Sequence, residues 1–236
     1  MKNPSSEIRL ARPEDDASLR MILRETPMAG DISLTFEREP NYFIAAQVEA
    51  QDCQIIVGVD REIDRVVGMG ARSIRKLYIN GKPTKFGYLS QFRIDKNYRS
   101  MRKSITQAWQ FLKELHQDGN SPFYYTSIIE DNLPARRLLT RGLPGLPKYI
   151  EYSRMHTLAI YSRRKKRKIN LPDGLKMSRG SKHTQPVIIE CLQRNLSRYQ
   201  FAPHWDETLM FIPNHTPNLS PEDFFIVIDG ETVVGC

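Results

Sequence analysis

An extended run ending in Gln91-Phe92-Arg93-Ile94 leads into a short loop and then into Arg99-Ser100-Met101-Arg102-Lys103-Ser104, which opens a helix. The first turn of a helix presents unpaired backbone N–H groups and the positive end of the macrodipole. Three cations, Arg99, Arg102 and Lys103, stand at the same place, so a phosphate or pyrophosphate would dock there. Further along, Asn132-Leu133-Pro134-Ala135 leaves a strand-like run and enters a short amphipathic segment that Gly142 terminates. Binding of a phosphorylated ligand is the chemistry these positions suit.

The elements that must position them can be read by periodicity. Residues 8–11 alternate as a strand, and Arg12-Pro13-Glu14-Asp15-Asp16 has the acidic first turn of a helix start. Leu19, Ile22 and Leu23 give that helix one apolar face, and Pro27 to Gly30 break it. Residues 31–50 carry no assignable pattern. Residues 55–59 and 66–71 are strand-like, the second run continuing to Asn80-Gly81, a tight-turn pair, and residues 86–94 return to complete an antiparallel meander. A helix over 100–117 follows, with Met101, Ile105, Trp109, Leu112 and Leu115 along one face. Then come a buried strand over 123–129, a helix over 134–141 and an alternating extended run over 149–160. This is an α+β (mixed α/β) order.

On the loop at 99–104 and the Asn132 helix, the chain resembles the GNAT superfamily of N-acetyltransferases. That family has an Arg/Gln-x-x-Gly-x-Gly/Ala loop after a strand, and later an Asn-x-x-Ala helix that carries a tyrosine and ends in Gly-Phe. The resemblance covers residues 8–160 and implies the GNAT fold, a central, mostly antiparallel sheet flanked by helices. It implies acetyl-coenzyme A as acyl donor and direct attack of a primary amine on the thioester. Phe92, Arg93 and Ile94 would pair their backbone with the pantetheine arm, Arg99, Ser100, Met101, Arg102, Lys103 and Ser104 would cradle the pyrophosphate, and Asn132 would face the cofactor beyond the thioester. The sequence departs from the pattern at four places. Arg102 and Ser104 stand at the two small positions of the loop, Leu139 replaces the tyrosine that would protonate the departing thiolate, and Leu143 replaces the phenylalanine. A side chain at 102 must point away or offer its own guanidinium to the phosphate.

The run 86–94 holds no Asp or Glu, so a base must come from elsewhere or from water. Glu130 and Asp131 are the nearest candidates, and Tyr88 and Tyr125 are candidate acids. A non-catalytic acyl-coenzyme A sensor is the alternative, with Arg102 and Leu139 marking lost turnover. An acidic acyl carrier protein is a variant donor. The acceptor, a small-molecule or peptide amine, is open.

Beyond residue 160 the pattern restarts. Residues 161–173 join Arg163-Arg164-Lys165-Lys166-Arg167-Lys168 to Asn170-Leu171-Pro172-Asp173-Gly174 and read as a basic linker. Leu175-Lys176-Met177-Ser178-Arg179 matches Ile8-Arg9-Leu10-Ala11-Arg12, and Val233-Val234-Gly235-Cys236 matches Val66-Val67-Gly68-Met69. The numbers 175 against 8 and 233 against 66 share one offset. An incomplete second GNAT-like unit over 174–236 is expected, a tandem repeat whose last strand run stops with the chain.

The composition excludes other classes. Of 236 residues 40% are apolar, enough for a packed core and unlike collagen, a coiled coil or a wholly disordered chain. No apolar run of about eighteen residues and no apolar N-terminal stretch occur, so a cytoplasmic protein without a membrane segment is expected. Six cations of the net +8 lie in the 163–168 run, so the basicity belongs to a segment, and nucleic acid is not the expected partner. The three cysteines and five histidines have no metal-ligand spacing, and no metal is expected. Gly68-Met69-Gly70, inside a strand run, reads as a bulge or close packing.

Overall fold

The computed structural model describes residues 6–28, 36–98, 102–142, 144–157 and 170–236, with the backbone alone at Ser6, Arg102 and Lys103. The chain enters through β1 (Ser6–Leu10), and a turn at Pro13 leads to α1 (Asp16–Glu25). The Asp15 carboxylate fixes this corner: it accepts the Arg9 guanidinium at 2.6 and 3.0 Å and the Arg12 backbone N–H at 2.7 Å. Leu19, Ile22 and Leu23 are buried at helical spacing, as expected. A second helix, α2 (Tyr42–Glu49), forms where the sequence shows no periodicity. Asn41 caps it, accepting from the Ile44 N–H, and the fully buried Tyr42 ties it to α1 through a 2.7 Å bond from its N–H to Asp16.

The meander is β2 (Asp52–Asp60), β3 (Arg65–Ile79) and β4 (Lys82–Ile94). Asn80 (φ +50°) and Gly81 (φ +76°) make the tight turn between β3 and β4, both left-handed as such a hairpin needs. Next come α3 (Arg102–Leu115), a single 3-10 turn, β5 (Tyr124–Tyr125) and α4 (Leu133–Thr140). The sheet runs β1-β2-β3-β4-β5, antiparallel except for the parallel β4–β5 pair. Its core gathers Leu19, Leu23, Tyr42, Ile55, Val57 and Met69 between the sheet and the first two helices. This is the mixed α+β arrangement of a mostly antiparallel sheet with flanking helices expected from the sequence.

Two expectations are corrected. The strand over 123–129 shrinks to two paired residues, and residues 149–157 of the alternating run join no strand. β5 has a partner on one side only and loses it after Tyr125, so 126–129 has no ladder to join. Alternation in the later run likewise finds no free strand, and Ile150, Tyr152 and Met155 are exposed.

The remainder builds a second, smaller sheet from β6 (Leu175–Arg179), β7 (Phe225–Asp229) and β8 (Thr232–Gly235), with α5 (Gln185–Leu196) packed on it over Ile188, Cys191, Ile226 and Val233. Its order and sense repeat β1-β2-β3. In the first sheet Gly58 faces Gly68 and Val59 faces Val66, leaving Val67 as a bulge. In the second Val227 faces Gly235 and Ile228 faces Val233, leaving Val234 as the same bulge. The single offset is corrected: β8 lies 167 residues after β3, but the β6–β7 pair (Leu175–Asp229) lies 169 after Ser6–Asp60. The difference falls in the connection, four residues between Asp60 and Arg65 and two between Asp229 and Thr232. No described helix is long and apolar enough to cross a membrane.

Candidate functional site

The parallel pairing of β4 with β5 consists of Gly87 against Tyr124 and Tyr88 against Tyr125. β4 runs on for six residues to Ile94 while the partner chain leaves the sheet, so the two part like the arms of a V. Just past the parting, Met69 faces Arg93 and Ala71 faces Ser90, so the single residue Gly70 is opposed by Gln91 and Phe92. This bulge, with Gln91 at φ +56°, drops one residue of β4 out of the ladder and re-aims its neighbours. Ser90 Oγ, Gln91 Oε1 and Arg93 Nε are buried there without a hydrogen-bond partner among the described residues. Burial pulls the Arg93 guanidinium below its usual value. Its Nη1 donates to the Phe92 carbonyl at 2.9 Å.

The β5 side is held by Arg72, fully buried on β3. Its fork donates two 2.8 Å bonds to Asp118 after α3, its Nε donates to the Tyr124 hydroxyl at 2.8 Å, and Nη1 also donates to Gln54 on β2. The Arg72 bond holds the Asp118 carboxyl well below the usual 3.8. Gly87 is required opposite: a Cβ there would lie 2.2 Å from the Tyr124 ring. One guanidinium therefore locks the end of α3, β2 and β5 together and sets where the V begins.

At its apex Tyr88 and Tyr125 stack at 4.6 Å, and the Tyr88 hydroxyl shares a 2.8 Å hydrogen bond with Ser127 across the gap. Burial pushes the Tyr125 phenol up, so it stays protonated at neutral pH. On the opposite face Tyr149 and Thr126 hydroxyls bond at 3.2 Å, with Tyr149 edge-on to Trp109 of α3.

Of the residues singled out by sequence, Tyr88 and Tyr125 meet at the apex, and Phe92, Arg93 and Ile94 lie on the arm that β4 extends. Phe92 is exposed. Ser104 is half-buried in the first turn of α3, which begins at Arg102. Arg99, Ser100, Met101 and Leu143 lie outside the described residues, as do the side chains of Arg102 and Lys103. Asn132 caps α4, its Oδ1 accepting from the Ala135 N–H at 3.2 Å. Glu130 and Asp131 are exposed on the turn before α4, Glu130 pairing with Arg154 at 3.4 Å. Leu139 is buried in the packing of α4. Sequence reasoning missed Arg72 and Ser127; an arginine at a position flanked by buried strand residues was the only local signal for Arg72.

No family model matches the chain and no curated protein matches it. Solved structures to which it is similar include an acetyltransferase of Trypanosoma brucei, 18% identical over 66% of this chain and 100% of that one, with a TM-score of 0.47. Glucosamine-6-phosphate N-acetyltransferase from Arabidopsis thaliana is 15% identical over 64% of this chain and 98% of that one, TM-score 0.44. An aminoglycoside 6'-N-acetyltransferase from Acinetobacter baumannii is 14% identical over 65% and 100%, TM-score 0.45.

Proposed function

We propose that the first 160 residues form a GNAT-type N-acetyltransferase domain that takes acetyl from acetyl-coenzyme A to a primary amine. We also propose that 174–236 is an incomplete second copy joined by a basic linker. The observation that carries the activity is the V: a strand whose edge is left open beyond Tyr88, bulged at Gln91-Phe92, with buried polar atoms beside it that have no partner among the described residues. An open strand edge offers N–H and C=O groups to an extended, amide-bearing arm as a further strand would. That fits the pantetheine arm.

When bound, the donor supplies an activated acetyl thioester. The residues of the chain supply position and charge. The bulge frees a backbone N–H near the apex to stabilise negative charge on the acyl oxygen. The amine nitrogen forms its bond to the acyl carbon as the C–S bond breaks, and the Tyr88 hydroxyl gives a proton to the leaving sulfur. The proton of the amine leaves to water in the open cleft, because Glu130 and Asp131 stand in solvent. Leu139, buried and without a hydroxyl, favours one second reading, an acyl-coenzyme A sensor without turnover.

A thermal-shift titration with acetyl-coenzyme A, with ATP as polyphosphate control, tests the donor. Ligand at a hundred times its Kd should add about 2.7 kcal/mol of stability. A shift that ATP reproduces equally, or none, refutes the proposal, and absence of thiol release across an amine screen leaves the sensor.

A further inference from the structure

The two units meet along a seam at the far half of β3. Past Ile74, where β2 ends, the free edge of β3 is taken by residues 201–204: the Phe201 N–H donates to the Tyr78 carbonyl, the Tyr78 N–H to Ala202 and the His204 N–H to Lys76, at 2.8 to 3.0 Å. Below this seam lies a small solvent-open cleft between the end of α2 and the second unit, walled by Glu49, Arg75, Lys76, His204 and Trp205 among others. Its charges are answered one by one, with a single exception. Glu49 pairs with Arg38, Lys76 with Asp206 at 3.2 Å, and His204 lies 3.7 Å from Asp206. Arg75, half-buried, has neither hydrogen bond nor ion pair among the described residues.

Arg75 sits three residues from Arg72 and so on the opposite face of β3, away from α3. On that face it is paired across the ladder with Phe86 and lies about 7–8 Å diagonally from Tyr88. A chain of rings leads from it to the apex: Phe86 to Phe201 at 5.6 Å, Phe201 to Tyr125 at 5.6 Å and Tyr125 to Tyr88 at 4.6 Å. Phe201, from the second unit, is part of this wall. The Arg75 charge reaches the apex, opposing the rise that burial causes in the Tyr125 phenol. An arginine left half-desolvated, with no counter-ion among the described residues, is a fork suited to a carboxylate or phosphate.

We infer that this seam is the acceptor site and that it takes an amine carrying an anionic group, seated on Arg75 with the amine directed along the aromatic wall toward Tyr88. The inference rests on the acyltransferase reading of the V. It gives the second unit a role: Phe201 packs on both Phe86 and Tyr125 and so braces the wall.

The test measures binding to the full chain, with and without coenzyme A, of amines in pairs that differ by the anion: phenylalanine and phenethylamine, lysine and cadaverine, O-phosphoethanolamine and ethanolamine. At least one anionic member should bind about ten- to a hundredfold more tightly than its partner. Arg75→Gln should erase that difference while leaving the weaker partner unchanged, and Arg75→Lys should keep part of it; the unliganded melting temperatures show whether each variant folds. Preference for a carboxylate or for a phosphate tells the two sources apart. No separation within any pair, or a separation that survives in Arg75→Gln, overturns the inference even if coenzyme A binds. Failure of coenzyme A to bind, with the Arg75-dependent difference intact, refutes instead the donor reading.

Discussion

Replacing Arg72 with methionine should cost about 3 kcal/mol of stability and loosen the V. The side chain is 0% exposed and makes four hydrogen bonds, two to a carboxylate. Removing one partner of a buried ion pair typically costs about 3–5 kcal/mol, because the groups left behind have lost water without regaining a partner. The lower end applies here, since Asp118 keeps 28% of its side-chain surface exposed and can rehydrate, while Tyr124 and Gln54 are half-buried. Methionine fills the volume of the arginine stem, so no large cavity adds to the cost. In urea unfolding at pH 7, a slope of about 2–3 kcal/mol/M turns that loss into a midpoint lower by about 1 M or slightly more. Arg72→Lys should recover part of it, since an ammonium cannot fork to Asp118 and reach Tyr124 together. A loss below about 1 kcal/mol would refute the claim that this guanidinium ties β2, β5 and the end of α3 together. So would a full loss of stability with unaltered coenzyme A affinity in the folded fraction, because β5 would then be placed by something else.

Gly87→Ala should destabilise the chain by about 1–3 kcal/mol and weaken donor binding, as the new methyl drives the Tyr124 ring away; a structure or urea curve unchanged from wild type would contradict it. Tyr88→Phe should lower the rate of thiol release about a hundredfold with donor affinity unchanged, and an unaltered rate would remove Tyr88 as the acid. Acid should destabilise the fold below the ordinary carboxylate value of 3.8, because Asp15, held down by Arg9, and Asp118, held down by Arg72, contribute stability that is present above that value and lost as pH falls through their lower folded values. Urea midpoints at pH 6 and pH 3 check this: Asp15→Asn and Asp118→Asn should each shrink the difference. Asn132→Ala should cost about 1 kcal/mol through loss of the α4 cap, read in the same assay.

Local chemistry made much of the first unit legible. The 3.6-residue spacing of Leu19, Ile22 and Leu23, the left-handed pair Asn80-Gly81 and the alternation around it are set by backbone and side-chain preferences within a few residues, and β1, α1 and the meander formed where these indicate. The strand ending at Ile94, the helix from Arg102 and the strand at Leu175 were equally readable. Tyr42 to Glu49 was not, because its helix is apolar on most sides and is held by Asn41 and by the burial of Tyr42 against α1, a contact across 26 residues.

The sequence by itself determined the order of elements through the meander and the placing of the cations Arg102 and Lys103 in the first turn of α3, because each is written in periods and neighbours along the chain. Tertiary structure alone decided where β4 and β5 part, which residue of β4 bulges and which charge is left unpaired among the described residues. Those depend on how Arg72 gathers groups 18, 46 and 52 residues away and on how the second unit closes the edge of β3, contacts that no local pattern encodes.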